Sequence, residues 1–245
     1  QCGRQRFRIS GISQGMYFIN ISGSNYHYSA KLVSRFRQTG NIKIEYVSSG
    51  LNKLKRQPES ATEMIDMPYT DGDLLLFKGI SEIFSTIVTD VPTCDKTIVF
   101  TFRACTDADS LNYTIVRIGT QTWMAENLNV GQRINGNWTQ TNNNILEKYC
   151  YANLESNCEV YGALYQWNEM MQYKASPGGK GICPDGWRLP SDEEWTILSD
   201  YLGGEINAGS KLKETGTTHW ASPNPWASNA SGFTSLPGGW RDVSG

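Results

Sequence analysis

Alternating apolar and polar positions fill the first hundred residues and then give way to a different pattern. Within residues 7–34, "GMYFINI" and "YSAKLV" alternate, and Gly11, Gly15 and Gly23 punctuate them, which predicts three short strands. "IKIEYV", "DLLLFKG", "FSTIVTDV" and "KTIVFTFRA" predict further strands, separated by Asp-Gly, Gly and Pro. The polar stretch "SSGLNKLKRQPES" between them reads as a linker. Beyond residue 105 the period changes. "YGALYQWNEMMQY" places Leu164, Trp167 and Met171 at helical spacing, and "SDEEWTILSDYLGG" places Trp195, Leu198 and Leu202 on one buried stripe, ended by Gly203 and Gly204. The rest is short strands and long Asn/Gly/Ser loops, so this part is expected to be an α+β domain with two helices.

The second helix carries its own start signal. Ser191 precedes the periodic run and Glu194 follows three residues later, the spacing of a capping box. Asp192, Glu193 and Glu194 then lie at the positive end of the helix dipole. Pro190 keeps the preceding residue out of the helix. A glycosidase needs two carboxylates facing each other across about 5–10 Å, whereas three consecutive acids at a helix start fan out around its axis. Capping therefore accounts for this acidic cluster without catalysis.

Composition narrows the classes. The 245 residues carry a net charge of −2, and no apolar run approaches the ~18 residues of a spanning helix. Ten of the Lys/Arg residues fall in 1–57 against one acid, Glu45. They are scattered through strand-like sequence without a recognition motif, so a solvated sheet face is expected rather than nucleic-acid binding. The first residues lack a signal-peptide layout and read as the middle of a chain, with the start expected upstream. Neither Cys-x-x-Cys nor His-Glu-x-x-His occurs, and His27 and His219 are the only histidines, so zinc spacing is missing. No glycine-rich phosphate loop is present.

Six cysteines in a chain rich in Gly, Asn, Ser, Thr and Trp fit an exported protein. Cys150 and Cys158, in "CYANLESNC", are the favoured pair because the short loop folds back. A Cys94–Cys105 bond is disfavoured by the strand "TIVFTFR" between them, roughly 20 Å long. In "DADSLN", Asp107, Asp109 and Asn112 offer calcium ligands at near-alternating spacing. The EF-hand positions for Gly and Glu are instead Asn112 and Ile118, so an Asx turn is preferred and no cofactor is expected. All eight tryptophans follow residue 105. Trp220, Trp226 and Trp240 lie in loop-like sequence and are candidates to stack on a sugar or protein, with core packing as the competing reading.

"CTDADSLNYTIVRIGTQTWMAENLNV", "CYANLESNCEVYGALYQWNEM", "GICPDGWRLPSDEEWTILSDYLGG", "AGSKLKETGTTHW" and "NASGFTSLPGGWRD" occur in that order. Together, over about residues 105–245, they resemble the Fibrobacter succinogenes major paralogous domain of exported Fibrobacter and Bacteroidetes proteins. The resemblance implies a C-type-lectin-like α+β fold related to formylglycine-generating domains, on surface or secreted proteins without an established activity. It also implies further C-terminal strands after "LPGGWRD" and a late cysteine able to pair with Cys183 or Cys105. Upstream, "G-x-Y-x-x-x-I…K-L-V" resembles the last strands of secretion-tail and fibronectin-like modules. The expected organisation is 1–40, closing strands of an incomplete Ig-like sandwich; 41–104, a small all-β unit; and 105–245, the lectin-like domain.

The expected function is a non-catalytic module, extracellular or at the cell surface, that binds a carbohydrate or protein ligand. The alternatives are a structural subunit of an extracellular fibre or surface layer, joined to other subunits by strand exchange, and, further off, a formylglycine-generating-like oxidase. That oxidase chemistry uses a late cysteine pair and copper, and no matching pair is evident in the sequence.

Overall fold

The computed structural model describes residues 72–93, 97–174 and 179–242, together with the backbone of the strands that precede them. The chain separates into two compact units, Gln1–Arg103 and Ala104–Gly245.

The first unit is all-β. Its strands are β1 (Gly3–Ser10), β2 (Gly15–Gly23), β3 (Tyr26–Ser34), β4 (Ile42–Val47), β5 (Met64–Tyr69), β6 (Leu75–Ser81), β7 (Phe84–Asp90) and β8 (Thr97–Phe100). One sheet runs β5-β1-β4-β8, and in another β7-β6-β2-β3 are consecutive. β1 pairs antiparallel with β4 and β5, and β2 with β3 and β6. Strands from 1–40 and from 41–104 therefore share both sheets. β5 carries Pro68, which explains why its sequence did not read as a strand; at a sheet edge the missing N–H is tolerated. The alternation of β6 is real: Leu75 and Phe77 are fully buried and their neighbours are not. The linker-like stretch lies outside the described residues, as do Cys2 and Cys94.

The second unit is α+β. β9 (Ile115–Ile118) and β10 (Gln121–Met124) form an antiparallel hairpin through a two-residue loop, opened by Gly119 at φ 59°. β11 (Gln132–Arg133) and β12 (Glu147–Lys148) pair in parallel. Four α-helices follow: α1 (Glu155–Tyr161), α2 (Trp167–Met170), α3 (Asp192–Tyr201) and α4 (Glu205–Leu212). Ile115, Val116, Val130, Cys158 and Leu198 are buried at its core.

Four helices replace the two expected. The helix predicted from "YGALYQWNEMMQY" survives only as α2. Gly162, at φ 75°, terminates α1 against Asn127, and the backbone of Leu164 exchanges hydrogen bonds with Tyr149 at 2.9 and 3.0 Å. A tertiary bridge thus overrides helical spacing, and Trp167 is exposed rather than packed inside. α3 matches its predicted start. Leu198 and Leu202 are buried, but Trp195 is half exposed and lies with its ring 4.7 Å from that of Trp123. α4 begins directly after the two glycines that end α3.

Candidate functional site

The cap is complete. Ser191 Oγ accepts from the Glu194 N–H at 3.3 Å, and Glu194 Oε2 accepts from the Ser191 N–H at 3.0 Å. Arg188 adds a bidentate ion pair to the same carboxylate at 2.5 and 2.6 Å. The Ser191 N–H, the hydrogen-bonding Arg188 guanidinium and its charge together hold Glu194 below the usual carboxylate range. Trp187 Nε1 donates to Ala104 O at 2.8 Å. These residues fasten the α3 entrance.

Asp107 builds an Asx turn. Its Oδ1 accepts from the N–H groups of Asp109 and Leu111, both at 2.9 Å, and its Oδ2 from Tyr113 Oη at 2.5 Å. Asp109 Oδ2 accepts from the Gly131 N–H at 2.7 Å, and Asn112 Oδ1 from Thr106 Oγ1 at 2.6 Å. The oxygens read as calcium ligands are thus engaged by the chain's own donors. Among the described residues, no group of three or more His, Cys, Asp or Glu is gathered to hold a metal ion.

Cys150 and Cys158 are bonded, with Cα atoms 5.1 Å apart. The bond joins a short 3-10 turn (Tyr151–Asn153) to α1 and sits beside buried Tyr149.

The three candidate tryptophans separate. Trp220 is half-buried, donates from Nε1 to Ser235 O at 3.1 Å and is covered by Lys213 Nζ, 3.9 Å from its ring centre. The chain's own groups hold both its indole nitrogen and its ring face. Trp226 and Trp240 are 83% and 78% exposed. Arg241, next to Trp240, donates to Gly136 O and Trp138 O at 2.7 and 3.1 Å and lies 4.2 Å over the Tyr149 ring. Exposed Trp138 is thereby brought to the same region as Trp240. Tyr151, beside Gly239, meets Tyr161 edge-on at 6.4 Å, and Tyr161 meets His219 at 5.8 Å. His219 Nδ1 is paired with Glu214 at 2.9 Å. The result is a surface run of rings ending in a His–carboxylate pair, assembled from four distant segments.

The loop between β11 and β12 also lines a cleft of about 510 Å³, within the usual range for ligand sites. It is lined by Thr141, Asn142, Asn143, Asn144, Ile145 and Leu146 from the loop, and by Glu169, Gln172, Tyr173 and Lys174 from the end of α2. The loop leaves β11 and returns at β12, and Gln140 pins it. The buried amide of Gln140 donates to Glu147 O and accepts from the Gln166 N–H, both at 2.7 Å. Buried Glu169 accepts from the Glu147 N–H at 2.8 Å and from Tyr173 Oη at 2.9 Å. Burial and that bond push the Tyr173 hydroxyl up to about 12. Asn144, Gln172 and Tyr173 have φ of 63°, 52° and 54°; an aromatic residue in this region is strained, and such strain concentrates at binding sites.

None of the cleft residues was singled out in the sequence. The Asn142–Asn144 run was the visible signal, but the contacts that shape it are non-local. One further motif, Gly11-Ile12-Ser13-Gln14-Gly15, has the spacing of a serine-nucleophile elbow. Its residues 11–14 lie outside the described residues. No helix among the described residues is long and apolar enough to cross a membrane.

Residues 116–245, more than half of the chain, match the family described as Fibrobacter succinogenes major domain. No curated protein and no solved structure matches the chain.

Proposed function

The chain belongs to the Fibrobacter succinogenes major domain family, and on that premise we propose that it is a non-catalytic, exported ligand-binding module. In this reading the second unit is a C-type-lectin-like domain, and the first unit is an Ig-like β-module that displays it at the cell surface. The observation that carries the proposal is the pinned 134–146 loop. It carries the exposed Trp138 and, with the end of α2, lines the amide-rich cleft. Amide side chains suit a hydroxyl-rich ligand, and exposed rings suit the apolar faces of sugars. A carbohydrate is therefore the favoured ligand, with a protein surface second. Glycan-array and pull-down screening of the full chain tests this; a saturable ligand lost in Tyr173→Ala or Trp240→Ala supports it, and silence on every probe counts against it.

The fibre-subunit reading keeps one support. The strand orders end on β3 and β5, edges to which a second copy's strand can add. Light scattering after size exclusion distinguishes the readings, since a monomer at every concentration excludes assembly. The oxidase reading is not favoured, because that chemistry uses a late cysteine pair, and neither Cys105 nor Cys183 stands late in the domain.

A further inference from the structure

We propose that Cys105 and Cys183 form a second disulfide, which ties the start of the second unit to the turn before α3. Cys105 is 1% exposed and clusters with Tyr113 and Ile115, and Trp187 packs against that cluster. Trp187 Nε1 also holds Ala104 O, the carbonyl next to Cys105, at 2.8 Å. The Trp187 N–H donates to Pro184 O at 3.0 Å, which closes a turn, and Cys183 stands at its entrance. Behind it, the Ile182 N–H donates to Met170 O at 3.0 Å, and Gly181 approaches that carbonyl so closely that a Cβ would lie 2.3 Å from it. Trp187 thus clamps the turn bearing Cys183 onto the segment bearing Cys105. The electrostatics agree: after burial, Cys183 is the largest influence raising the Cys105 thiol, to about 12. Both cysteines are free in this structure. The pairing differs from the one the family resemblance implied, in which a late cysteine pairs with Cys183 or Cys105.

The chemistry is ordinary thiol–disulfide exchange. A thiolate of one cysteine attacks the disulfide of a donor, either a small disulfide or a disulfide oxidoreductase, and expels one donor thiol. The second cysteine's thiolate then attacks the mixed disulfide and expels the other. The cysteines lose two electrons and two protons, and the donor gains both as two thiols. Because Cys105 is buried and its thiol raised, exchange takes place while the chain folds. This inference stands independently of the ligand.

The test uses the full chain, refolded from the reduced state with reduced and oxidised glutathione. It is then alkylated in denaturant without reduction and cut with trypsin. The expected product is peptide 104–117 cross-linked to peptide 181–188, released by reductant. Alkylation of both cysteines, or linkage of either to Cys2 or Cys94, overturns the proposal. As a second readout, reductant should lower the melting midpoint of the native chain by about 5–10 °C more than that of the C105S/C183S variant. Equal shifts overturn it as well.

Discussion

Asp107→Ala offers the sharpest separation of a structural turn from an ion site. The side chain is 7% exposed and accepts three hydrogen bonds, two from backbone N–H groups and one from Tyr113 Oη. Bonds to a charged acceptor contribute about 1.5–3 kcal/mol each, but the turn at Asp109–Leu111 is exposed and water replaces part of the loss. Tyr113 Oη is buried and also accepts from the Asn129 N–H at 2.9 Å, so its proton has no ready substitute partner. The expected cost is about 3–4 kcal/mol, a fall of roughly 10 °C in midpoint for a unit of this size. Asp107→Asn keeps Oδ1 and both turn bonds but turns an NH₂ toward Tyr113, and should cost about 1–2 kcal/mol. Calorimetric melts in EGTA and in calcium measure both variants. The reasoning fails if Asp107→Ala melts within about 2 °C of the native chain, if Asp107→Asn is the worse variant, or if the loss appears only with calcium present.

Three further outcomes follow from the geometry. Gly162→Ala should cost more than about 3 kcal/mol or prevent folding, because its Cβ would lie 2.3 Å from Asn127 Cβ at φ 75°. Gly186→Ala, at φ 80° in open space, should cost only about 1 kcal/mol, and equal losses in urea melts would refute the packing argument. Glu194 has a folded-state pKa held below its ordinary 4.5. Its contribution is therefore present above that value and lost as pH falls through the depressed one. Glu194→Gln should accordingly flatten the stability profile below pH 4.5, and an unchanged acid limb would contradict it. Gln140→Ala orphans Glu147 O and the Gln166 N–H, and should cost about 2–4 kcal/mol by chemical denaturation.

Features legible in the sequence were those set by near neighbours. Ser191 and Glu194 are three residues apart, Asp107 builds its turn within four residues, and Cys150 reaches Cys158 across a sequence separation of eight. Helical spacing failed at Leu164 because the competing partner, Tyr149, lies in another segment. Exposure was equally hidden: Trp220, Trp226 and Trp240 share loop-like surroundings, yet only Trp220 finds Ser235 and Lys213. The cleft was unreadable for the same reason. The loop that lines it is held by Glu169 meeting Glu147 and by Gln140 meeting Gln166. The Cys105–Cys183 approach is likewise visible only once Trp187 is seen against Ala104.

If the pinned loop presents a ligand site, as proposed, calorimetric titration detects the ligand there. The full chain is titrated with the strongest glycan from an array, beside Asn143→Ala and Tyr173→Ala variants that remain folded by circular dichroism. Saturable binding by the native chain and at least a tenfold loss in both variants, about 1.4 kcal/mol each, are expected. Absence of any saturating ligand, or affinity unchanged in both variants, would contradict the proposal.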